Sequence, residues 1–237
     1  MAASLADLEK YGFSIISNVY SSEEVAEIVK TINSKEIKDQ SVSNSKNVYA
    51  IRQLLASIPE LAGLLFSDNL KNLLRLHFGH DFFLTKAIYF NKPKDSNWFV
   101  AYHQDLSITV NQKAEVDGYT NWTFKKGQYG VQPPVEVLEN TLTIRIHLDN
   151  TDSNNGALAV KPSTHQKGVI RLDSDEWKAK ADELCKVEAG GVMLMKPLLL
   201  HTSKRSKINE QRRVIHLEFN NTELAKPLKW KERMNLS

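Results

Sequence analysis

A nine-residue segment in the second half of the chain alternates strictly between apolar and polar residues. Its apolar positions are Leu142, Ile144, Ile146 and Leu148, and its polar positions are Thr141, Thr143, Arg145, His147 and Asp149. Side chains two residues apart on a strand point to the same side, so the pattern predicts a strand with one apolar and one polar face. A polar face directed into a β-barrel is typical of a ligand cavity, because a packed core would be apolar.

The rest of the pattern separates a helical beginning from a β-rich remainder. A capping-box sequence, Ser21-Ser-Glu-Glu24, precedes apolar residues at helical spacing. After residue 81, short β-like segments alternate with turn residues such as Asn154-Asn-Gly156. The pattern predicts a mainly β fold with flanking helices, namely a double-stranded β-helix (a cupin-like jelly-roll barrel) backed by N-terminal helices.

We expect residues 1–237 to form a single domain. A helical N-terminal region would occupy residues 1–80, and a jelly-roll core would occupy residues 81–222. Residues 106–138 are rich in glycine and proline and predict a long, partly ordered insertion loop. Loops of this length usually have a functional role.

The composition narrows the class of protein. Hydrophobic residues make up 41% and charged residues 25% of the 237 residues, which is typical of a globular domain. A net charge of +3 is too small to favour nucleic-acid binding, and no apolar segment approaches the ~20 residues of a membrane span. The single cysteine, Cys185, excludes an intrachain disulfide and fits a reducing compartment. We therefore expect a cytoplasmic protein that binds a small molecule and neither nucleic acid nor a membrane.

The sequence His-x-Asp occurs twice, at His103-Gln-Asp105 and at His147-Leu-Asp149. A histidine and a carboxylate two residues apart on a strand can take adjacent positions on one metal ion. A distant histidine would then complete a 2-His-1-carboxylate site of the kind that binds non-haem iron. His103 precedes the long insertion, whereas His147 lies within a regular strand. The spacing alone does not choose between the two pairs.

His201 is the candidate for the third metal ligand because of the residues that follow it. Ser203 and Arg212 lie two and eleven residues further along the chain. A 2-oxoglutarate molecule that chelates iron leaves its far carboxylate deeper in the barrel, where the planar guanidinium of an arginine can bind it through two hydrogen bonds. A hydroxyl such as that of Ser203 can add a third.

In this order, the motifs of the chain resemble those of the phytanoyl-CoA dioxygenase family of iron(II)/2-oxoglutarate-dependent oxygenases. The resemblance covers nearly the whole chain, and a linked series of motifs is far more specific than any one of them. The motifs are Gly12-Phe-Ser-Ile-Ile16 with Ser21-Ser-Glu-Glu24, Phe90-Asn-Lys-Pro93 ahead of His103-Gln-Asp105, Asn155-Gly-Ala-Leu-Ala-Val-Lys-Pro-Ser-Thr-His165, and His201-Thr-Ser203 with Arg212.

The resemblance implies a role for individual residues, and it favours the first His-x-Asp pair over the second. The implied metal ligands and catalytic residues are His103, Asp105 and His201. The implied co-substrate-binding residues are Arg212, Ser203, Arg145 and Gln104. Of these, Arg145 stands where relatives have an aromatic residue, so it could contact either 2-oxoglutarate or an anionic substrate. The candidates for contact with the substrate are Lys86, Trp98, Tyr102 and Trp122.

The implied cofactors are Fe(II), 2-oxoglutarate and O2. The implied activity is hydroxylation of an unactivated C–H bond in a small or medium organic substrate, coupled to decarboxylation of 2-oxoglutarate to succinate. Asp105 favours hydroxylation over halogenation, because related halogenases lack this carboxylate. The basic side chains of Arg145 and Lys86 favour a substrate with an anionic group.

Two other classes of protein are compatible with parts of this pattern. A cupin-like metal isomerase or lyase would share the barrel, but it would not need Arg212 at its distance from His201. A non-catalytic jelly-roll module that binds a small molecule would not need three intact metal ligands. Formation of succinate from 2-oxoglutarate with added iron(II) and ascorbate would separate the three classes.

Overall fold

The computed structural model describes residues 2–34, 42–45, 48–92, 99–173, 175, 177–206 and 211–236. Its helices are α1 (Ala2–Tyr11), α2 (Ser22–Asn33), α3 (Leu54–Ser57), α4 (Leu61–Leu65), α5 (Asp68–Phe78) and α6 (Val135–Glu139), with a 3-10 helix at Thr164–Lys167. Its strands are β1 (Phe13–Ile16), β2 (Val42–Ser45), β3 (Val48–Arg52), β4 (Phe83–Lys92), β5 (Val100–His103), β6 (Ile108–Val110), β7 (Thr120–Lys125), β8 (Gln128–Gln132), β9 (Leu142–His147), β10 (Leu158–Val160), β11 (Glu183–Leu184), β12 (Val192–Met195), β13 (His201–Ser203), β14 (Arg212–Asn220) and β15 (Met234–Asn235). None of the helices in this part of the chain has both the length and the hydrophobicity to cross a membrane.

The strands form three antiparallel sheets. The large sheet has the order β1-β12-β9-β14-β4-β3-β2, and β15 also pairs with β4. The small sheet has the order β11-β10-β13-β5, and a third sheet has the order β6-β8-β7. Within the described residues the large and small sheets share no strand, so the predicted barrel is an open pair of sheets and is not closed. The prediction of a mainly β fold with flanking helices is confirmed.

Helices α1 to α5 cover one face of the large sheet. Apolar residues of these helices form one core with Ile144, Ile146 and Ile215 of the sheet. Helix α2 begins with the predicted capping box: the Ser21 hydroxyl accepts from the backbone N–H of Glu24 at 3.2 Å, and the Glu24 carboxylate accepts from that of Ser21 at 2.7 Å. The apolar face predicted for residues 141–149 therefore packs against the helical layer.

The opposite face of the large sheet is apolar at one side and polar at the other. Near β1, Met193 and Met195 pack against Leu158 and Val160 of the small sheet. Between β9 and β4 the same face has charged and hydroxyl side chains, most of them buried. They are Thr143, Arg145 and His147 on β9, Arg212, His216 and Glu218 on β14, and Lys86 and Lys92 on β4. Buried polar groups need partners or a ligand, so this is the region in which a site is expected.

Most of residues 106–138 form a sheet and a helix, where the sequence predicted a partly ordered loop. Strands β7 and β8 are joined by Lys126-Gly127, whose φ angles of 54° and 71° suit a two-residue hairpin turn. One face of this inserted sheet, which includes Ile108 and Val131, packs into an apolar cluster with Trp230. The other face is polar, so the strands do not have the apolar runs that would reveal them in the sequence.

Candidate metal centre

Strands β5 and β13 place two histidines side by side. His103 and His201 are paired in the antiparallel ladder, and their ring centroids are 4.2 Å apart. Asp105 follows β5 and is fixed by a 2.9 Å hydrogen bond from its backbone N–H to the carbonyl oxygen of Pro197. Its carboxylate oxygens lie 3.8 Å from His103 Nε2 and 3.9 Å from His201 Nε2. The three side chains form a cluster whose ligand atoms lie within 4.8 Å of one another.

Backbone carbonyls orient both imidazole rings. His103 Nδ1 lies 2.8 Å from the carbonyl oxygen of Ala101, and His201 Nδ1 lies 2.8 Å from that of Leu199. A carbonyl oxygen only accepts, so each Nδ1 carries a proton, and each Nε2 is the ring nitrogen that faces Asp105. This second hydrogen bond is the usual support of a metal-binding histidine, and two nitrogens with one carboxylate are the ligand set of non-haem iron. The residues therefore fit a divalent metal ion.

The charge state of the cluster also suits a metal ion. Burial alone would raise the pKa of Asp105, but the nearby side chains of His201, His216, His103 and Lys86 lower it to about 2. Burial lowers the pKa of His201 to about 4, although Asp105 opposes this shift. At neutral pH the cluster therefore has an ionised carboxylate and a neutral imidazole at His201, which is the state that binds a cation.

A buried basic pocket lies beside the metal centre. Arg212 Nη1 and Ser203 Oγ both donate hydrogen bonds to the carbonyl oxygen of Gly156, the latter at 2.8 Å. Gly156 has a φ of +81°, and a Cβ atom there would lie 3.0 Å from Lys92 Nζ. A side chain at this position would thus displace the pocket's own groups. The structure brings Arg212 and Ser203 together at this carbonyl, and it adds Lys92.

Lys92 is a site residue that the sequence reasoning missed. Its side chain is only 1% exposed, and burial together with the charge of Arg212 lowers its pKa to about 8. Burial and the charge of Arg145 lower the pKa of Arg212 to about 10. Lys92, Arg212 and Arg145 thus place three positive charges in one buried region, where they repel one another. An anion bound there would relieve this repulsion, so the pocket strongly prefers an anion. Strand alternation from Lys86 would have placed Lys92 on the same face, and that was the available signal.

A hydrogen-bonded chain connects Arg145 to Lys86. Arg145 Nη1 lies 3.2 Å from His216 Nδ1, and His216 Nε2 lies 2.9 Å from Glu218 Oε1. The same carboxylate oxygen is 2.8 Å from Lys86 Nζ. Because an arginine only donates and a carboxylate only accepts, this geometry suits a His216 ring that accepts at Nδ1 and donates from Nε2. His216 and Glu218 were not predicted, although they continue the alternation of Arg212 along β14.

Gln104 does not reach the co-substrate region. Its amide nitrogen donates to the carbonyl oxygens of Gly168 and Leu198, at 2.9 and 2.6 Å, and its Oε1 accepts from Ile170 N–H at 2.8 Å. All of these partners are backbone groups of neighbouring loops. The side chain holds two loops next to Asp105, so the structure gives it a supporting position and not the contact with a cofactor that was predicted.

Tyr102 lies on the wrong side of β5 for contact with a substrate at the metal. It precedes His103, and alternation directs it to the opposite face. Its hydroxyl donates to Asp182, and its ring lies 5.0 Å from that of Trp177. Partial burial, and then the hydrogen bond to Asp182, raise the pKa of Tyr102. The predicted role in the site is not supported by this placement.

Trp122 is also directed away from the metal. It lies on the apolar face of the inserted sheet and packs against the cluster that contains Val131 and Trp230. Nearness in sequence to the metal motif was a poor guide for these two aromatic residues, because it does not fix the face of a strand. The third predicted aromatic residue, Trp98, lies outside the described residues.

The second His-x-Asp pair does not form a metal site. His147 Nδ1 lies 2.8 Å from Thr151 Oγ1. Asp149 is bound by Arg213, which donates from Nη2 at 2.6 Å, from Nε at 2.9 Å and from its backbone N–H at 2.8 Å. The carboxylate of this pair is thus neutralised by an arginine.

Together the fold and the site define a class of protein: a jelly-roll domain with a 2-His-1-carboxylate cluster and a buried basic pocket beside it. Residues 8–214 match the phytanoyl-CoA dioxygenase (PhyH) family. The chain therefore belongs to the phytanoyl-CoA dioxygenase family, as its motifs predicted. The predicted iron and 2-oxoglutarate agree with this family and with the cluster of His103, Asp105 and His201. No curated protein matches the chain.

Solved structures with the same fold include several enzymes. EctD from S. alaskensis in its apoform has a TM-score of 0.74 and 19% identity, covering 100% of this chain and 86% of that one. The epimerase SnoN in complex with Fe3+, alpha ketoglutarate and nogalamycin RO has a TM-score of 0.70 and 13% identity, covering 93% and 83%. HygX from Streptomyces hygroscopicus with nickel and 2-oxoglutarate bound has a TM-score of 0.66 and 16% identity, covering 94% and 87%. At such low identities these likenesses establish the fold, and the predicted cupin-like fold is confirmed.

Proposed function

We propose that the protein is an iron(II)/2-oxoglutarate-dependent dioxygenase that hydroxylates an unactivated C–H bond of a small or medium organic molecule. The observation that carries this proposal is the position of the buried basic pocket beside the three-residue metal cluster. Neither a metal isomerase nor a binding module requires a buried arginine, lysine and hydroxyl next to such a cluster. A dicarboxylate co-substrate that chelates the metal requires both the metal cluster and the basic pocket.

His103, Asp105 and His201 would hold the iron. Three ligands from one side leave the opposite side of the ion open for a chelating co-substrate and O2. When bound, iron with 2-oxoglutarate and O2 supplies the oxidising chemistry, in which 2-oxoglutarate loses CO2 and becomes succinate. The two carbonyl contacts to the histidine rings keep the ligands in place without a metal, so little rearrangement accompanies binding.

Arg212, Ser203 and Lys92 would hold the far carboxylate of 2-oxoglutarate. The guanidinium and the hydroxyl already converge on the Gly156 carbonyl. Arg145 lies close enough to influence the pKa of Arg212, and the charge of Asp105 acts on Arg145 in turn. Arg145 is therefore suited to the carboxylate at the iron end of the co-substrate, and the pocket would bind both ends of a dicarboxylate by charge.

A matched pair of neighbouring arginines tests this proposal. Arg212 faces the pocket and Arg213 binds Asp149 on the other side of β14, so Arg212→Gln and Arg213→Gln change the same residue type at adjacent positions. Succinate would be measured with iron(II), ascorbate and varied 2-oxoglutarate. We expect succinate from the wild type, an increase of KM for 2-oxoglutarate of at least about tenfold in Arg212→Gln, and a nearly unchanged KM in Arg213→Gln.

Two results would contradict the proposal. One is the absence of succinate from iron-loaded wild-type protein. The other is an equal effect of the two arginine substitutions on KM. If succinate forms, mass spectrometry of the organic product would then separate hydroxylation, which adds one oxygen atom, from the other reactions of this fold.

A further inference from the structure

A second cavity opens directly beside the metal centre. It has a volume of about 830 Å³, within the range of small-molecule sites. Leu106 and Ser107, the two residues after Asp105, form part of its wall. Lys86, also in the wall, donates a 2.9 Å hydrogen bond to the carbonyl oxygen of Ser107. The cavity therefore adjoins the chain segment that carries Asp105.

The inserted sheet supplies a polar wall of this cavity. Its strands direct Thr109, Asn121, Thr123, Gln128 and Gln132 inward. Asn121 Nδ2 donates to Gln132 Oε1 at 2.8 Å, so these two amides are oriented by one another. The aromatic side chains of the same sheet lie on its other face. The wall thus offers several hydrogen-bonding groups to a ligand.

Positive charge is concentrated around the same cavity. Arg52 and Lys86 belong to the large sheet, and Lys125 and Lys126 belong to the hairpin of the inserted sheet. Glu218 neutralises Lys86, whereas the described residues contain no acidic partner within ion-pair distance of Arg52 or Lys125. Glu232 is the acidic residue of the wall, and burial raises its pKa to about 7, so that it is partly protonated at neutral pH. The balance of charge favours an anion.

We infer that the substrate of this site is a polar, hydroxyl- or amide-rich small molecule with a carboxylate or phosphate group, and not a fatty-acyl chain. This inference rests on the proposed oxygenase function and names its substrate class. Arg52 and Lys125 would bind the acidic group, and Asn121, Thr123 and Gln128 would bind the polar groups. Ile88 and Leu106 are the two wholly apolar side chains in the wall, and most of the other side chains there end in a charged, hydroxyl or amide group.

Four probes separate the chemical classes: glucose, gluconate, glucose 6-phosphate and octanoate. Their binding would be measured by calorimetry on the full chain loaded with nickel(II) and 2-oxoglutarate, which prevents turnover. We expect gluconate or glucose 6-phosphate to bind more tightly than both glucose and octanoate. The comparison of gluconate with glucose 6-phosphate distinguishes a carboxylate from a phosphate site. Tighter binding of octanoate, or no binding of any of the four probes, would overturn the inference.

Two variants link the binding to the cavity. Arg52→Gln combined with Lys125→Gln removes two of its charges, and Lys113→Gln removes an exposed lysine of the same insertion outside the wall. We expect the double variant to bind the acidic probe at least about tenfold more weakly and Lys113→Gln to bind it normally. Equal binding by the two variants would contradict the inference. Thermal unfolding midpoints would establish that both variants are folded.

The failure of the inference can be told apart from the failure of the oxygenase proposal. Succinate formation without added substrate depends on the metal cluster and the basic pocket, and neither Arg52 nor Lys125 belongs to these. Absence of succinate in the wild type would reject the oxygenase proposal. Normal succinate formation with a preference for octanoate would reject only the substrate class.

Discussion

The two His-x-Asp pairs lie in different sheets, and their side chains have different neighbours. At the end of β5, His103 and Asp105 face His201 of the adjacent strand. At the end of β9, Asp149 is bound by Arg213, and the charge of this arginine satisfies the carboxylate. The same three-residue sequence therefore gives a metal cluster in one sheet and an ion pair in the other.

The histidines of the two pairs differ in the same way. His201 and His103 lie next to an ionised carboxylate that attracts a cation. His147 is buried next to Arg145 and Arg212, and burial and these two cations hold its pKa well below the ordinary value. A cation at His147 would be repelled, whereas one at His103 would be attracted. The neighbours across the sheet decide what a short motif does, and the motif itself does not.

The largest expected effect comes from removing the carboxylate of each pair in turn. Asp105→Ala should reduce iron affinity and succinate formation by at least about 100-fold, because a charged ligand is lost. Asp149→Ala should keep iron binding and lower the free energy of unfolding by about 2 kcal/mol, because Arg213 loses its charged partner. Iron binding by equilibrium dialysis and denaturant unfolding measure the two effects. Loss of iron in Asp149→Ala would reverse the assignment of the two pairs.

An intermediate effect is expected at Lys92, which lies in the basic pocket opposite Arg212. Lys92→Met should raise KM for 2-oxoglutarate about tenfold at pH 7, because one charged contact to the carboxylate is lost. The folded pKa of about 8 lies below the ordinary 10.5, so the wild type loses this proton as pH rises from 7 to 9. Its KM should therefore increase over that range, whereas the KM of Lys92→Met should not.

A lysine elsewhere provides the control for this experiment. Lys196 is 9% exposed and pairs with Glu9 at 2.9 Å. Lys196→Met should leave both KM and its pH dependence unchanged. If Lys92→Met also retained the wild-type KM, the contribution of Lys92 to co-substrate binding would be rejected.

The smallest expected effect is the pH dependence of stability at His147. Because its pKa is lowered in the folded protein, the unfolded chain binds a proton that the folded chain does not. The stability that this residue contributes is complete above pH 6.5 and is lost as pH falls, by at most about 1.4 kcal/mol per pH unit. His147→Asn keeps a polar atom near Thr151 and should reduce the slope of stability between pH 6.5 and 5. A slope in His147→Asn equal to that of the wild type would reject this contribution.

The local pattern of apolar and polar residues was sufficient to predict much of the fold. The alternation at residues 141–149 predicted both faces of β9, and the capping box predicted the beginning of α2. The inserted sheet could not be predicted in this way, because one of its faces lines a cavity and is polar. Its strands also contain Gly130 and follow a turn through Gly127, both of which are typical of loops.

The remaining site residues are brought together by pairing between strands that are far apart in the sequence. Lys92 looks like an exposed strand-end lysine in the sequence, and only its register opposite Arg212 brings it into the pocket. Tyr102, by contrast, is adjacent to a metal ligand and still points away from it. Its direction was readable from strand alternation, whereas the partners of Lys92 required the fold.

The inserted sheet has a consequence for how this architecture can diversify. The chain leaves the core just after Asp105, forms the inserted sheet and returns through α6 to β9. The three metal ligands and the residues of the basic pocket all lie outside residues 108–132. Exchange of this segment could therefore alter which molecule is accepted while the machinery that handles iron and dicarboxylate stays intact. Selectivity and reactivity would then evolve as separable modules, and grafting another hairpin onto the same core is a direct route to redesign.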